Sequence, residues 1–323
     1  MTMRRRATAA LLVVGCAVGA VACSSSGDAE PSRSSRPGSP VTTAAAGSSS
    51  PAPAYPVGPT LSPALGDALK AAKSDAAALL SYRYDDLDAL RSAARKRTTA
   101  EFGRTFLNTV DKTVAPAAKN AKAATKATVG PAGVRGVSGD SVGVLLFVDQ
   151  KTITGSTRIS TNPSAVYLTM QRVAGKYLVS ELTPGQASSG PDERAGFAPL
   201  LADAVREAQQ IEGMLLTISW KTATTSVAAL SRRTTGAYAK SFPKSSASLI
   251  KSLKKSHAST AVGTVHSAVV SVHGADTVHL LTSATQTVRA DGSATPRSRQ
   301  RRIDCTVVLR HGRWLVSDLG YAS

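Results

Sequence analysis

The sequence predicts an α+β fold made of two similar halves, each with helices first and antiparallel strands afterwards. The stretch RTTAEFGRTF that begins at Arg97 returns as RTTGAYAKSF beginning at Arg233, 136 positions later. Early in each half, Ala and Leu recur at helical spacing, whereas apolar and polar residues alternate in the later part. A chain of 323 residues has room for two domains of ordinary size.

Residues 1–22 have the layout of an export signal. Three arginines precede an apolar run from Ala7 to Ala22, which is shorter than the ~20 residues that span a bilayer. Small residues come before Cys23 and a Ser-rich stretch follows it, as in a bacterial lipobox. We therefore expect lipidation of Cys23 and anchoring on the outer face of the cell membrane. Secretion and an uncleaved N-terminal anchor are the alternatives.

Two breaks divide the rest of the chain. Residues 23–60 are mainly Ser, Pro, Ala, Gly and Thr, and such a segment buries too little apolar surface to offset the entropy of ordering. We expect it to be a disordered tether. The stretch TPGQASSGPDER interrupts the later part, which predicts domains at 61–183 and 195–323 joined by a linker at 184–194.

Three helices are expected at the start of each half. In the first half, PALGDALKAAKSDAAALLSYRY and LDALRSAARKR carry apolar residues at helical spacing. The repeated ten letters predict the third helix, with Thr98 as its cap and Glu101 completing a capping box. Phe102 and Phe106 then lie one turn apart on the face directed at the core. The second half keeps Thr234 and an aromatic pair but lacks the glutamate.

Three strands are expected to follow in each half. They are DSVGVLLFVDQKT, SAVYLTMQRVAG and KYLVSEL in the first half, and ADTVHLLTSATQTV, RRIDCTVVLRHG and RWLVSDL in the second. Ala174-Gly175 and His311-Gly312 lie where a tight hairpin turn requires a glycine of positive φ. Helices followed by such strands predict an antiparallel sheet with helices packed on one face.

The net charge of +18 favours anionic neighbours such as lipid headgroups or cell-wall polymers. Basic residues are seldom interleaved with aromatic ones, so we expect no nucleic-acid partner. One cluster, RSRQRR, contains Arg297, Arg299, Arg301 and Arg302 and is expected to form a loop between strands. There it either contacts anionic headgroups or forms a solvated face.

No stretch of the chain predicts a catalytic residue, a metal site or a cofactor. The histidines lack the spacing of metal ligands, and we expect them on exposed strands, with His273 and Asp276 paired across a hairpin. All five histidines lie in the second half: His257, His266, His273, His279 and His311. Cys305 lies in an alternating stretch and is expected to be a small buried core residue.

The stretches SYRYDDLD, TTAEFGRTF, VLLFVDQ and the pair GKYLVSEL and GRWLVSDL resemble the Mce-associated proteins of actinobacteria. The resemblance extends over both halves and implies the cone fold of the nuclear transport factor two-like superfamily. It therefore implies two tandem cone-shaped domains, each with three N-terminal helices packed on a curved antiparallel sheet. It also implies an accessory role beside a lipid-import complex of the envelope, without catalytic residues. Those relatives usually carry one domain behind a transmembrane helix, which this chain does not match.

Enzymes of this fold place an acid–base pair in the pocket between helices and sheet. Tyr82, Tyr84 and Asp88 are the candidate pocket residues of the first half, and Ile218 and Trp220 hold the matching places in the second. The leading expectation is a non-catalytic accessory protein of the envelope. The alternatives are a pocket-based enzyme of the cyclase or dehydratase kind and a carrier for a small hydrophobic ligand.

Overall fold

The computed structural model describes residues 62–155, 158–185, 190–291 and 295–322. The expected export signal, Cys23 and the tether lie outside this part of the chain. We call 62–185 the first half and 190–322 the second half, and both belong to one compact unit. The predicted α+β class is confirmed, because helices pack against one large antiparallel sheet.

The first half begins with helices that are interrupted by one short strand. These elements are α1 (Pro63–Leu79), β1 (Tyr82–Arg83), α2 (Leu87–Arg97), α3 (Ala100–Thr109), a π-helical turn (Val110–Val114) and α4 (Ala115–Ala121). The second half has α5 (Pro199–Leu216), α6 (Ala223–Ser231) and α7 (Gly236–Lys255). The third helical region is thus broken by a π-helical turn in the first half and continuous in the second.

Four long strands follow the helices in each half. They are β2 (Ala124–Ser138), β3 (Ser141–Thr154), β4 (Arg158–Val173) and β5 (Lys176–Pro184) in the first half. Those of the second half are β6 (Ser259–His273), β7 (Thr277–Arg289), β8 (Arg297–Arg310) and β9 (Arg313–Tyr321). The sheet order is β5-β4-β3-β2-β6-β7-β8-β9, with β1 beside β2, so β2 and β6 join the halves.

The structure corrects three predictions about these elements. Strands β2 and β6 were not expected, because glycines and Pro131 obscure the alternation in β2, where Pro131 lies at a register shift between Val129 and Ala132. The cluster RSRQRR forms the first part of β8 instead of a loop. Thr99, and not Thr98, caps α3, because α2 extends to Arg97 and Thr98 closes it by donating its hydroxyl to a carbonyl of that helix.

Other local predictions are confirmed. Both hairpin turns have positive φ at their two central residues, at 48° and 79° for Ala174 and Gly175 and at 50° and 74° for His311 and Gly312. Phe102 and Phe106 are buried with ring centroids 5.8 Å apart. Cys305 is fully buried in the core of the second half.

The helix-facing side of the sheet forms a separate hydrophobic core in each half. A third core lies on the other side of the strands and contains residues from both halves. Its buried members are Leu145, Phe147, Ala165, Tyr167, Ala268 and Leu281. An ion pair of 2.6 Å between Arg302 and Asp149 lies beside it, with the guanidinium 4.9 Å from the Phe147 ring centroid. The outer faces of the two halves therefore pack on each other.

The segment between the halves is packed against β2. The backbone N–H of Arg194 donates to the carbonyl of Arg135, and the N–H of Val137 donates to the carbonyl of Ala195. At Gly136 a Cβ would lie 2.2 Å from the carbonyl oxygen of Asp192, so only glycine permits this approach. This contact fixes residues 192–195 to the first half.

Candidate functional site

A small apolar cavity lies between the helices and the sheet of the first half. Its volume is about 50 Å³, which suits the end of a hydrocarbon chain better than a whole lipid. The lining residues are Leu79, Leu80, Tyr82, Leu90, Phe106, Val110, Val114, Gln150, Leu182 and Pro184. A cavity with mainly aliphatic walls and few polar groups favours an apolar ligand.

The π-helical turn forms one wall of this cavity, because Val110 and Val114 are both lining residues. The helical region of the first half runs from the cap Thr99 to Lys122, which ends it with φ of 46°. The matching region of the second half runs from Thr235 to His257, with φ of 43°, and is one residue shorter. A π-helical turn accommodates one extra residue in an α-helix, and such turns occur frequently at functional sites.

Gln150 is the buried polar group of the cavity. Its side-chain amide donates to the carbonyl of Leu80 at 3.3 Å, which ties β3 to the end of α1. Gln286 donates in the same way to Leu216 at 2.9 Å in the second half. Gln150 thus has a structural partner and also presents a polar edge to the cavity.

The candidate pocket residues of the first half occupy three different environments. Tyr82 lines the cavity and is half-buried. Tyr84 is half-buried outside the lining, and its N–H donates to the carbonyl of Ala123. The side chain of Asp88 is 92% exposed and pairs with Arg91 on the surface of α2, because it lies on the side of that helix opposite the buried Leu90. The structure therefore does not bring Asp88 to the cavity.

The cone of the second half is nearly filled. A space of only about 10 Å³ remains beside Tyr238 and Phe242. Ile218 is buried in the core, and Trp220 stacks on His257 with ring centroids 4.4 Å apart. Neither residue lines the remaining space. The structure thus places the two candidate residues of this half in packing roles.

Glu212 is a buried acid in the second half that the sequence reasoning missed. It lies on α5 with 0% exposure, and neither carboxyl oxygen has a hydrogen-bond partner of normal geometry among the described residues. Burial raises the pKa of Glu212 to about 8, although Thr282 and Cys305 lie near enough to oppose that shift. The signal was available, since Ala208, Glu212 and Leu216 follow at four-residue spacing on the buried side of α5.

Two histidines, His257 and His311, are exposed as expected, whereas the other three are not. His279 is 2% exposed and lies 2.7 Å from a carboxyl oxygen of Asp304. His266 is half-buried against Glu193 at 2.8 Å. The predicted pair of His273 with Asp276 is wrong, because Arg310 lies within 2.9 Å of Asp276 and neutralises it.

A polar cleft of about 200 Å³ lies at the junction of the halves and is lined by His266 together with Tyr167, Ser283 and Gln300. In the described part of the chain, no three His, Cys, Asp or Glu side chains are grouped so that they could hold a metal ion.

The arginine cluster does not form one surface. Arg302 is 8% exposed and is bound to Asp149 at the junction, so its assignment to an anionic surface is wrong. Arg301 donates to Gln286 at 2.8 Å and lies over the Tyr321 ring. Arg297 and Arg299 are exposed. Alternation along β8 directs Arg302 to the face opposite that of Arg297, Arg299 and Arg301, which explains why it alone reaches Asp149.

Within the described residues, no helix combines the length and the apolar character that crossing a membrane requires. No protein-family model matches the chain. Outer membrane protein Rv1973 of Mycobacterium tuberculosis strain H37Rv is 32% identical over 121 residues, covering 38% of this chain and 76% of that protein. The chain belongs to the family of this outer membrane protein.

Uncharacterized protein Rv1362c of the same organism is 37% identical over 121 residues, which is 36% of this chain. The match covers 54% of that protein, so this chain spans about half the length of this relative.

Among solved structures, a periplasmic fragment of TraM aligns with a TM-score of 0.33 and 16% identity, over 37% of this chain and 96% of its own. An Ntf2-like protein involved in plasmid conjugation aligns with a TM-score of 0.28 and 12% identity, over 80% of this chain and 97% of its own.

Proposed function

We propose that this protein is a non-catalytic accessory subunit of the cell envelope. Membership in the family of outer membrane protein Rv1973 is the observation that carries the proposal. The finer proposal is that the subunit serves an Mce-type lipid-import system and is anchored outside the membrane by a lipid on Cys23. The motifs from SYRYDDLD to GRWLVSDL support it, since they resemble Mce-associated proteins in both halves.

The way the halves are joined supports a role in protein contact. A shared core, the ion pair of Arg302 with Asp149 and the packed segment 192–195 hold the halves together. The helices of each half lie on the face of the sheet opposite the shared core, which leaves two helical surfaces for partners. A body held together in this way loses little conformational freedom when it binds other subunits.

We also propose that the halves arose by duplication and correspond to two domains at 61–183 and 195–323. Equivalent hydrogen bonds support this. The Ser81 hydroxyl accepts from the N–H of Ala127, and the Thr217 hydroxyl accepts from that of Val262. The glutamine contacts of β3 and β7 correspond in the same way.

The accessory role is tested by affinity purification of the tagged full chain from gently solubilised native membranes, with mass spectrometry of the retained proteins. Recovery of lipid-import subunits, and their loss with Cys23→Ala, is the expected result. Cys16→Ala is the matched control, since it changes a cysteine inside the export signal and leaves Cys23 in place. Recovery of the chain alone from the original protein would contradict the role.

The cavity of the first half favours a second candidate, a carrier for a small hydrophobic ligand. Its walls are mainly aliphatic, and the matching place in the second half is filled. Lipid extraction from the purified full chain, followed by mass spectrometry, tests this function. Leu79→Phe places a bulkier aromatic side chain at the cavity wall and is expected to reduce the amount of ligand recovered. Leu215→Phe, at the matching place, is the control, and an equal reduction in both variants would contradict the carrier role.

A further inference from the structure

Two lysines and two isoleucines form an exposed patch on the outer face of the first half, which we call the β-tip: Lys126, Lys151, Ile153 and Ile159. Ile153 on β3 and Ile159 on β4 are directly opposite each other and are 39% and 58% exposed. Lys126 on β2 is directly opposite Lys151 on β3. Lys151 and Ile153 are two positions apart, so all four side chains lie on one face of the sheet.

This face is the one directed away from the helices. The neighbouring positions Gln150 and Thr152 point the other way, since Gln150 contacts the end of α1 and the Thr152 hydroxyl lies 2.9 Å from that of the buried Thr125. The same outer face is covered by the second half farther along β3, at Leu145 and Phe147. The β-tip is the part of the outer face that extends beyond this contact.

The composition of the β-tip is unfavourable for the fold itself. Like charges directly opposite on neighbouring strands destabilise a sheet, and Lys126 and Lys151 form such a pair. The two isoleucines expose large apolar side chains at the end of a hairpin. An anionic and partly apolar partner would compensate for both features, and local conflicts of this kind are expected at functional sites.

More positive charge lies beside the β-tip. The N–H of Gly155 donates to the carbonyl of Ala121 at 3.1 Å, which holds the end of β3 against the end of α4. Lys119 and Lys122 lie at the end of α4 that this contact joins to the hairpin, and Arg158 begins β4. All three are exposed, and none of them forms an ion pair with another described residue.

We propose that the β-tip binds the surface of a lipid bilayer that contains anionic headgroups. The isoleucines enter the boundary between headgroups and acyl chains, and the lysines contact the negative headgroups. A second copy of this chain is a poor occupant, because two chains of net charge +18 repel each other. The proposal concerns a surface outside the cavity and does not depend on the accessory role.

The test places a polarity-sensitive dye at the β-tip of the full chain. The labelled variant carries Ile159→Cys together with Cys16→Ala and Cys23→Ala, while the buried Cys305 does not react. We expect a blue shift of the dye emission with vesicles of phosphatidylcholine and phosphatidylglycerol, and little shift with phosphatidylcholine alone. Lys126→Ser and Lys151→Ser should each lower the affinity for the anionic vesicles about five-fold. This factor corresponds to the ~1 kcal/mol that one charge near an anionic surface contributes.

Two matched controls separate the β-tip from general attraction to vesicles. A dye at Leu249→Cys reports on an exposed leucine of α7, and Arg297→Ser with Arg299→Ser removes two exposed charges of the second half. Unchanged thermal unfolding shows that each variant is folded. The proposal would be overturned by the absence of a dye shift at position 159 or by a shift that does not require phosphatidylglycerol. An effect of the arginine substitutions equal to that of the lysine substitutions would also overturn it.

Discussion

The two halves share an order of helices followed by four antiparallel strands, and they share the glutamine contacts that anchor the first helix, but their cones differ. The first half has a π-helical turn and a cavity of about 50 Å³, whereas the second has a continuous α7 and a space of about 10 Å³. One extra residue between the helix cap and the residue of positive φ that follows the helical region accompanies this difference. The half with the longer helical region thus has the apolar cavity, and the half with the shorter one has the more closely packed core.

The halves also bury acidic groups differently. The first half has Asp75, 5% exposed, in an ion pair with Arg97. The second half has Glu212 without such a partner, and the matching position of the first half is Ala76. A buried carboxyl group is costly unless it is paired or protonated. The second half therefore retains a neutral acid in its core where the first half uses an ion pair at the edge.

The largest expected effect comes from the equivalent phenylalanines of the two halves, Phe106 and Phe242. Phe106→Ala and Phe242→Ala each remove a buried ring, which costs about 3–5 kcal/mol in a packed core. Phe106 already borders the larger cavity, so its loss removes fewer contacts than the loss of Phe242. Urea unfolding of the full chain should therefore show a greater decrease in unfolding free energy for Phe242→Ala. The reverse order would contradict the difference between the cones.

Glu212→Gln is expected to stabilise the protein at alkaline pH. Between about pH 4.5 and 8 the unfolded state releases the proton of Glu212 that the folded state retains, so the free energy of unfolding falls as pH rises. Glutamine removes this dependence and should stabilise the fold at pH 8 by on the order of 4 kcal/mol, with little effect near pH 4.5. Urea unfolding across this pH range measures it.

Glu101→Gln, at an exposed position of α3, is the control for the loss of one carboxylate. The same gain in stability from both substitutions would show that burial of Glu212 is not the cause.

The anchoring glutamines give a smaller effect. Gln286→Leu and Gln150→Leu each leave a carbonyl at the end of the first helix without its donor, which costs about 1–3 kcal/mol. Gln286 also accepts from Arg301 at 2.8 Å, and its bond to Leu216 is shorter than that of Gln150 to Leu80. The decrease in unfolding free energy should be greater for Gln286→Leu. Equal decreases would remove this distinction between the halves.

Local patterns predicted the elements that depend on neighbouring residues. Helical spacing gave α2 with the bounds that the structure has, and the two glycine turns follow from backbone sterics. Strand β2 was missed because its glycines and Pro131 are tolerated only through pairing with distant strands and a register shift. The positions of Arg302 and His279 likewise depend on Asp149 and Asp304, which are remote in sequence.

The candidate site was predicted in part by the same reasoning. Tyr82 lies at the cavity, whereas Asp88 faces solvent because helix α2 turns it away. The π-helical turn was not predicted, since only comparison of the two helical regions in space reveals the extra residue. Glu212 could have been found, because its spacing from Ala208 and Leu216 places it on the buried face of α5.

Removal of the extra residue tests the difference between the cones most directly. Deletion of the exposed Thr113 from the π-helical turn is expected to restore a continuous α-helix and to close the cavity. Titration with a fluorescent fatty acid should then show binding by the original full chain and by Thr113→Ala, and no binding by the deletion variant. A cooperative thermal unfolding transition shows that the deletion variant is folded. Equal binding by the folded deletion variant would contradict the assignment of the apolar ligand to the first half.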